Sequence, residues 1–393
     1  MRKPVLFTLP LFTLLLALLA AAPAPARPAS LNAQLQPYLK KYNLPALAAA
    51  VVKDGKIVAA GAVGSRRAGQ DIPVTINDRF HLGSDTKAMS ALLAAMAVER
   101  GLLRWDSTPG QVFPELAATM DHGFRDLTLE RLLSHTSGLP ADNEEFMESV
   151  LAAEAGDGNL DEMRARLLAY WSKKPLASAP GQKFQYSNLG YTIAGAMVER
   201  AYGSTWEELI CGKIFDALGL ASAGLGPQSS LGRVDAPLPH RIIGGKLKPV
   251  LAGPDADNPA LIGPAGTAHM SILDFARWAG WNAGQGRRRP SLISAAAIKK
   301  LQTPVADLPA PPRPAPGRPP GGRYGLGWGQ LTVGWAPRPL VYHGGSNTRN
   351  IAQIWLDPAQ DLAIVTAVNV AGPKADAALF ALAPLLYKEF SGK

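Results

Sequence analysis

Ser84 and Lys87 stand three residues apart at the opening of an apolar helical pattern that runs to Gly101. At a helix start that spacing puts both side chains on one face, with the hydroxyl close to the amine. A serine is a poor nucleophile until a base takes its proton. A lysine, with a reference pKa of about 10.4, is that base only where burial and the positive end of a helix disfavour its charge. The free N–H groups of the same helix start can stabilise a developing oxyanion. Against this stands a plainer reading, in which Ser84, Asp85 and Thr86 cap the helix and Lys87 is solvated. Ser84 is the only serine of the chain with a lysine three positions on.

Two further groupings have the same double character. Tyr186-Ser187-Asn188 precedes a helical pattern from Tyr191. A tyrosine exchanges protons as base or acid when a nearby cation stabilises its phenolate, and an asparagine two residues on can hold a substrate carbonyl or amide. His343-Gly344-Gly345-Ser346 ends the apolar run from Leu340 to Tyr342. Paired glycines let a substrate lie against a strand whose N–H completes an oxyanion hole. Taken singly, a loop tyrosine, a turn asparagine and a Gly-Gly bulge explain these residues as well.

Taken together and in this order, the three groupings resemble the S-x-x-K, Y-x-N and K/H-x-G motifs of the serine β-lactamase and penicillin-binding protein superfamily. The branch resembled is the one that holds class C β-lactamases, D-alanyl-D-alanine carboxypeptidases and related esterases. The chain departs from the class A pattern in having Tyr-Ser-Asn and His-Gly-Gly in place of S-D-N and K-T-G. Further blocks follow in family order: FHLGSDTKAMSALLAAMAVERGLLRWDS, LTLERLLSHTSGLP, PGQKFQYSNLGY, IFDALGL, GPAGTAHMSILDFARW and YGLGWG. The resemblance extends from about Leu31 to the C-terminus. It implies an acyl-enzyme on Ser84, with Lys87 as base or proton relay, Tyr186 as the second proton-transfer group and Asn188 orienting the substrate. It also implies an oxyanion hole from the N–H groups of Ser84 and Ser346, with His343, Gly344, Gly345 and Ser346 lining the substrate. A histidine at 343, with a reference pKa of about 6.5, is only partly charged at neutral pH and holds a β-lactam carboxylate less firmly than a lysine. The expectation is therefore a D-amino peptidase, carboxypeptidase or esterase rather than an efficient β-lactamase. A sensor of penicillin or cell-wall peptide that does not turn over is the alternative. The substrate class, whether small molecule or cell-wall peptide, stays open, as does the oligomeric state.

Leu47–Val52 and Ile57–Val63 are β-compatible runs joined through Asp54-Gly55, a strong hairpin signal, and Ile351–Leu356 and Leu362–Val368 flank a turn at Asp357-Pro358. Helical patterns lie outside both hairpins, at Leu31–Tyr42 and Ala375–Phe390, and fill the middle of the chain. One sheet built from both ends of the chain follows. The resemblance implies the matching α+β fold, an antiparallel β-sheet flanked by N- and C-terminal helices and packed against a helical lobe. The expected division is residues 27–82 and 321–393 in the sheet lobe, 83–303 in the helix-rich lobe and 304–320 as a Pro-rich surface loop.

Arg2-Lys3, an apolar run from Val5 to Ala22 and Ala24-Pro25-Ala26 have the order of a secretory signal peptide, residues 1–26, cleaved after Ala26. A periplasmic or secreted protein with no membrane span in its mature chain follows; a retained anchor is the alternative. The net charge of +9 raises nucleic-acid binding, but the basic residues fall in no recognisable nucleic-acid motif, and no such partner is expected. The single cysteine, Cys211, excludes a disulfide framework, and the histidines lack ligand spacing, so neither metal nor cofactor is expected. His135 invites a Ser-His-Asp reading, but no G-x-S-x-G elbow occurs and a structural role is expected.

Overall fold

The computed structural model describes residues 27–392 apart from residue 252 and residues 311–315, so the expected leader lies outside the described residues. In chain order the strands that concern the site are β1 (Ala29–Ser30), β2 (Ala46–Lys53), β3 (Lys56–Gly64), β4 (Arg79–His81), β5 (Gly224–Leu225) and β6 (Ala268–Ser271). They continue with β7 (Ala306–Leu308), β8 (Gly322–Tyr324), β9 (Gly329–Leu331), β10 (Leu340–Ser346), β11 (Ile351–Asp357) and β12 (Leu362–Val368). Among the described residues nine of these form one sheet in the order β1–β3–β2–β12–β11–β10–β9–β8–β7, antiparallel except for the β1–β3 pair. The two ends of the chain meet where β2 pairs β12, with Ala50 opposite Val365. The Asp54-Gly55 turn has positive φ at both residues, as the tight hairpin requires.

Side chains alternate across the strands, and both faces are apolar. Leu47, Ala49 and Val51 face one layer, made by α1 (Asn32–Tyr42) and the C-terminal helix Pro373–Phe390. Ala48, Ala50 and Val52 face the other, and there the Ile272–Ala283 helix lies on the sheet. It lies there although residues 272–283 fall within the stretch expected in the helix-rich lobe. The reason is steric: alanines on β2 and β12 leave room for a helix, and Gly280 comes so near that a Cβ there would sit 2.8 Å from Val52 Cγ1. Within the Pro-rich stretch, Ala306–Leu308 pairs β8 and forms the sheet's edge, where proline-flanked strands are tolerated.

A short sheet in the order β4–β6–β5 ties the two lobes together. Its β4 leads directly into α2 (Thr86–Glu99), whose residues from Thr86 to Ala97 are all buried. The Thr86 hydroxyl donates to the Gly83 carbonyl at 2.7 Å and accepts the Ala268 N–H at 3.0 Å, so the start of α2 is fastened to β6. Behind it, fully buried Arg164 on α3 (Leu160–Trp171) pairs with Glu199 on α4 (Asn188–Tyr202) and with Glu207, and donates to the Leu261 carbonyl at 2.9 Å. Removing one partner from a buried charge cluster leaves the others desolvated and unpaired. Arg164→Ala is therefore expected to cost about 3 to 5 kcal/mol in urea unfolding; a loss below about 1 kcal/mol would show that the cluster does not support the lobe.

Candidate active site

Gly83–Asp85 form one 3₁₀ turn before α2, which leaves Ser84 partly accessible and carries Lys87 into the interior. The Lys87 ammonium has three acceptors: Ser84 Oγ at 3.1 Å, Asn188 Oδ1 at 2.6 Å and the Ala265 carbonyl at 2.7 Å. Burial lowers its pKa to about 7, against the opposing pull of Asp142 and Asp85. Both protonation states fit this cage. The ammonium donates three bonds, whereas the neutral amine keeps two, to Asn188 and Ala265, and turns its lone pair to the Ser84 hydroxyl.

Tyr186 precedes α4, its ring centroid 4.7 Å from Lys87 Nζ. Burial pushes the phenol well above its usual pKa, partly offset by the nearby Ser84 hydroxyl, so at neutral pH it rests protonated. Ser84, Lys87, Tyr186 and Asn188 are thus brought together. Asn188 is already engaged at both ends, however, since its Oδ1 accepts from Lys87 and its Nδ2 donates to Asp142. Asp142 also accepts the backbone N–H of Asn188 at 3.1 Å, in the position of an N-cap for α4. The exposed Asp142, on the loop after Leu139-Pro140, went unrecognised in the sequence because no spacing rule links it to Asn188.

His135 lies under the same tyrosine. Its Nδ1 accepts the Ser187 N–H at 3.2 Å, and its ring centroid is 4.2 Å from that of Tyr186. Burial, reinforced by Lys87 and His343, holds it neutral. The ring thereby braces the Tyr186 loop through Nδ1, while its buried Nε2 has no hydrogen-bond partner among the described residues.

His343 departs from expectation. Facing inward from β10, its ring has Nδ1 3.2 Å from Asp85 Oδ1 and Nε2 3.0 Å from the Tyr324 hydroxyl, so neither nitrogen is left for a substrate. Burial, with Lys87 adding to it, lowers its pKa to about 3, and the partial charge expected at neutral pH is absent. Burial likewise pushes the Asp85 carboxyl far above its usual range, against the pull of Lys87. This pair joins the Gly83–Asp85 turn to β10.

The glycines at the end of β10 have a direct steric role. A Cβ on Gly345 would run into the Leu82 carbonyl and stand 2.7 Å from the backbone nitrogens of Ser84 and Asp85. Gly83, at φ +52°, packs in turn on the Ser346 backbone. Pairing with β9 ends at Tyr342, opposite Gly329, so beyond that residue β10 keeps only its β11 partner and its other edge is open. Gly344 and Ser346 line a cavity of about 460 Å³ with Tyr342 and Gln353.

Residues 31–387 match the Beta-lactamase family. Penicillin-binding protein 4 of Amycolatopsis lactamdurans is 28% identical over 274 residues, covering 66% of this chain and 66% of the relative. Lovastatin esterase of Penicillium rubens is 31% identical over 198 residues, 46% of this chain and 49% of the relative. The chain thus spans about half to two thirds of the length of these curated relatives. The octameric penicillin-binding protein homologue of Pyrococcus abyssi has the same fold, with a TM-score of 0.71 at 24% identity over 90% of this chain and 76% of that one. With the family match running through all three motifs and nearly the whole described chain, this protein belongs to the Beta-lactamase family.

Proposed function

We propose that this chain is an exported serine hydrolase that cleaves ester or amide bonds through an acyl-enzyme on Ser84. The observation that carries the proposal is the desolvated amine of Lys87, 3.1 Å from the Ser84 hydroxyl and with a pKa near 7. A base with that pKa is neutral in a large fraction of molecules at physiological pH. In the acylation step Lys87 takes the Ser84 proton as Oγ bonds to the substrate carbonyl carbon. The oxyanion is held by the N–H groups of Ser84 and Ser346. As the tetrahedral species collapses, Tyr186 gives its phenolic proton to the leaving group and is reprotonated from Lys87, which restores both groups. Deacylation runs the same proton path in reverse, with water in place of the leaving group.

The charges around the nucleophile bear on the substrate. Asp142 is exposed beside Asn188, and His343 is buried and neutral. A carboxylate next to the scissile bond would meet Asp142 without a charged residue at 343 to hold it. This favours esters and peptides that lack such a carboxylate over β-lactams, and similarity to an esterase supports the same choice. D-amino peptides remain within the proposed class. Lys87, Tyr186 and Ser84 together support turnover over a sensing role. Export is proposed from the leader pattern of residues 1–26.

Ser84→Ala should lower hydrolysis of a chromogenic short-chain ester by at least about a thousandfold, and retention of activity would overturn the mechanism. Because the amine acts unprotonated, kcat/KM should rise with pH through about 7 and level off above it. A profile flat from pH 5 to 9 would remove Lys87 as the base. In intact-mass spectrometry after mixing with a penicillin, the adduct on Ser84 should form and decay; an adduct that persists without ester turnover would favour the sensor.

A further inference from the structure

An oxyanion hole built from Ser84 and Ser346 draws its two donors from segments far apart in the sequence, and it works only if their spacing is held to a few tenths of an ångström. Contact between Gly83 and Ser346, and between Gly345 and Ser84, sets how near the segments come. Contact alone does not stop them from parting. On one side the Asp85–His343 bridge does so, linking the residue after the nucleophile to β10. On the other side runs a chain that the proposed mechanism does not use. His81 is fully buried, its Nδ1 accepts the Gly83 N–H at 3.0 Å, and its Nε2 lies 2.6 Å from Asp257 Oδ1, a close polar contact out of line for a hydrogen bond. The Gly83 bond fixes the tautomer, because Nδ1 must be the acceptor and the ring proton then sits on Nε2, the nitrogen beside Asp257. The same Asp257 oxygen accepts from Asn347 Nδ2 at 3.2 Å. Asn347 directly follows Ser346, and its Oδ1 accepts the backbone N–H groups of Arg349 and Asn350 at 3.2 and 3.0 Å, closing the turn that leaves β10.

We propose that His81, Asp257 and Asn347 are positioning residues that hold the two oxyanion-hole donors at their working separation, by tying the residue before Ser84 to the residue after Ser346. The proposal rests on the hydrolase reading above. A buried polar chain adds little net stability over apolar packing of the same volume; what it contributes is a fixed geometry. No residue of the chain touches the reacting atoms, and His81, Asp257 and Asn347 occupy none of the three motifs.

The test uses phenylboronic acid on the full chain. Ser84 Oγ adds to boron, its proton passes to Lys87, and one oxygen of the tetrahedral adduct enters the hole, so affinity for this compound reports the donor geometry. Asp257→Ala and Asn347→Ala should each weaken the boronate about 10- to 100-fold and lower kcat for a chromogenic ester by a similar factor, with KM changed less than about threefold. His81→Gln, whose amide can accept from Gly83 and donate to Asp257, should recover most of what His81→Ala loses. Melting temperatures taken alongside separate geometry from stability. If the variants melt earlier but keep their boronate affinity and kcat, or if KM alone moves, the positioning role is wrong. If one alanine variant does not fold, the other and the His81→Gln and His81→Ala pair decide. A wild-type protein that neither hydrolyses esters nor takes the boronate on Ser84 by mass spectrometry would instead remove the hydrolase reading, and this proposal with it.

Discussion

The structure turns on the removal of one lysine amine from water. Lys87 sits at the start of a helix buried all round, and its nitrogen is left with three partners, each supplied by a different segment: Ser84, Asn188 and the Ala265 carbonyl. A charged amine so placed loses its hydration, and that loss brings its pKa to about 7 despite two nearby carboxyl groups. The same desolvation would be only a cost if the nitrogen had fewer acceptors. Fold and chemistry therefore meet in the requirement that three segments arrive at one nitrogen.

Much of the architecture can be understood as meeting that requirement. Pairing β4 with β6 sets the residues before Ser84 beside those after Ala265, and the Thr86 hydroxyl locks the join. Arg164 gathers α3, α4 and the segment at Leu261, so the asparagine and the carbonyl that hold Lys87 belong to one braced unit. The sheet contributes β10, which the two ends of the chain build in common. Its glycines let the Gly83–Asp85 turn lie against the strand backbone without intervening side chains. His343, which in sequence resembles a substrate ligand, serves as a neutral strut beneath that contact.

The parts legible in the sequence were those carried by local rules. Asp54-Gly55 between apolar runs marked a hairpin, alternating and helical periods marked the terminal sheet and its covering helices, and the spacing of Ser84 and Lys87 marked a hydroxyl beside an amine. What was hidden depended on register and on contacts between distant segments. The face that His343 occupies follows from strand parity within β10, and a motif gives residue types without parity. The placement of residues 272–283 on the sheet depends on alanines in β2 and β12 far from that helix in sequence. Asp142 and His81 act through partners 46 and 176 positions away, and no spacing signal spans such gaps. His135, expected to be structural, packs its ring under Tyr186, while His81 carried no sequence signal beyond its lack of metal-ligand spacing.

The central claim is that Lys87 is poised to accept a proton at neutral pH because its amine is desolvated against Ser84. Direct titration of the Lys87 side chain by NMR, on protein with isotopically labelled lysine and with Lys87→Arg to assign the resonance, reads that state without any substrate. The account predicts a midpoint near 7 for this one lysine. A Lys87 resonance that stays that of an ammonium up to about pH 10, the ordinary range for solvated lysine, would contradict it.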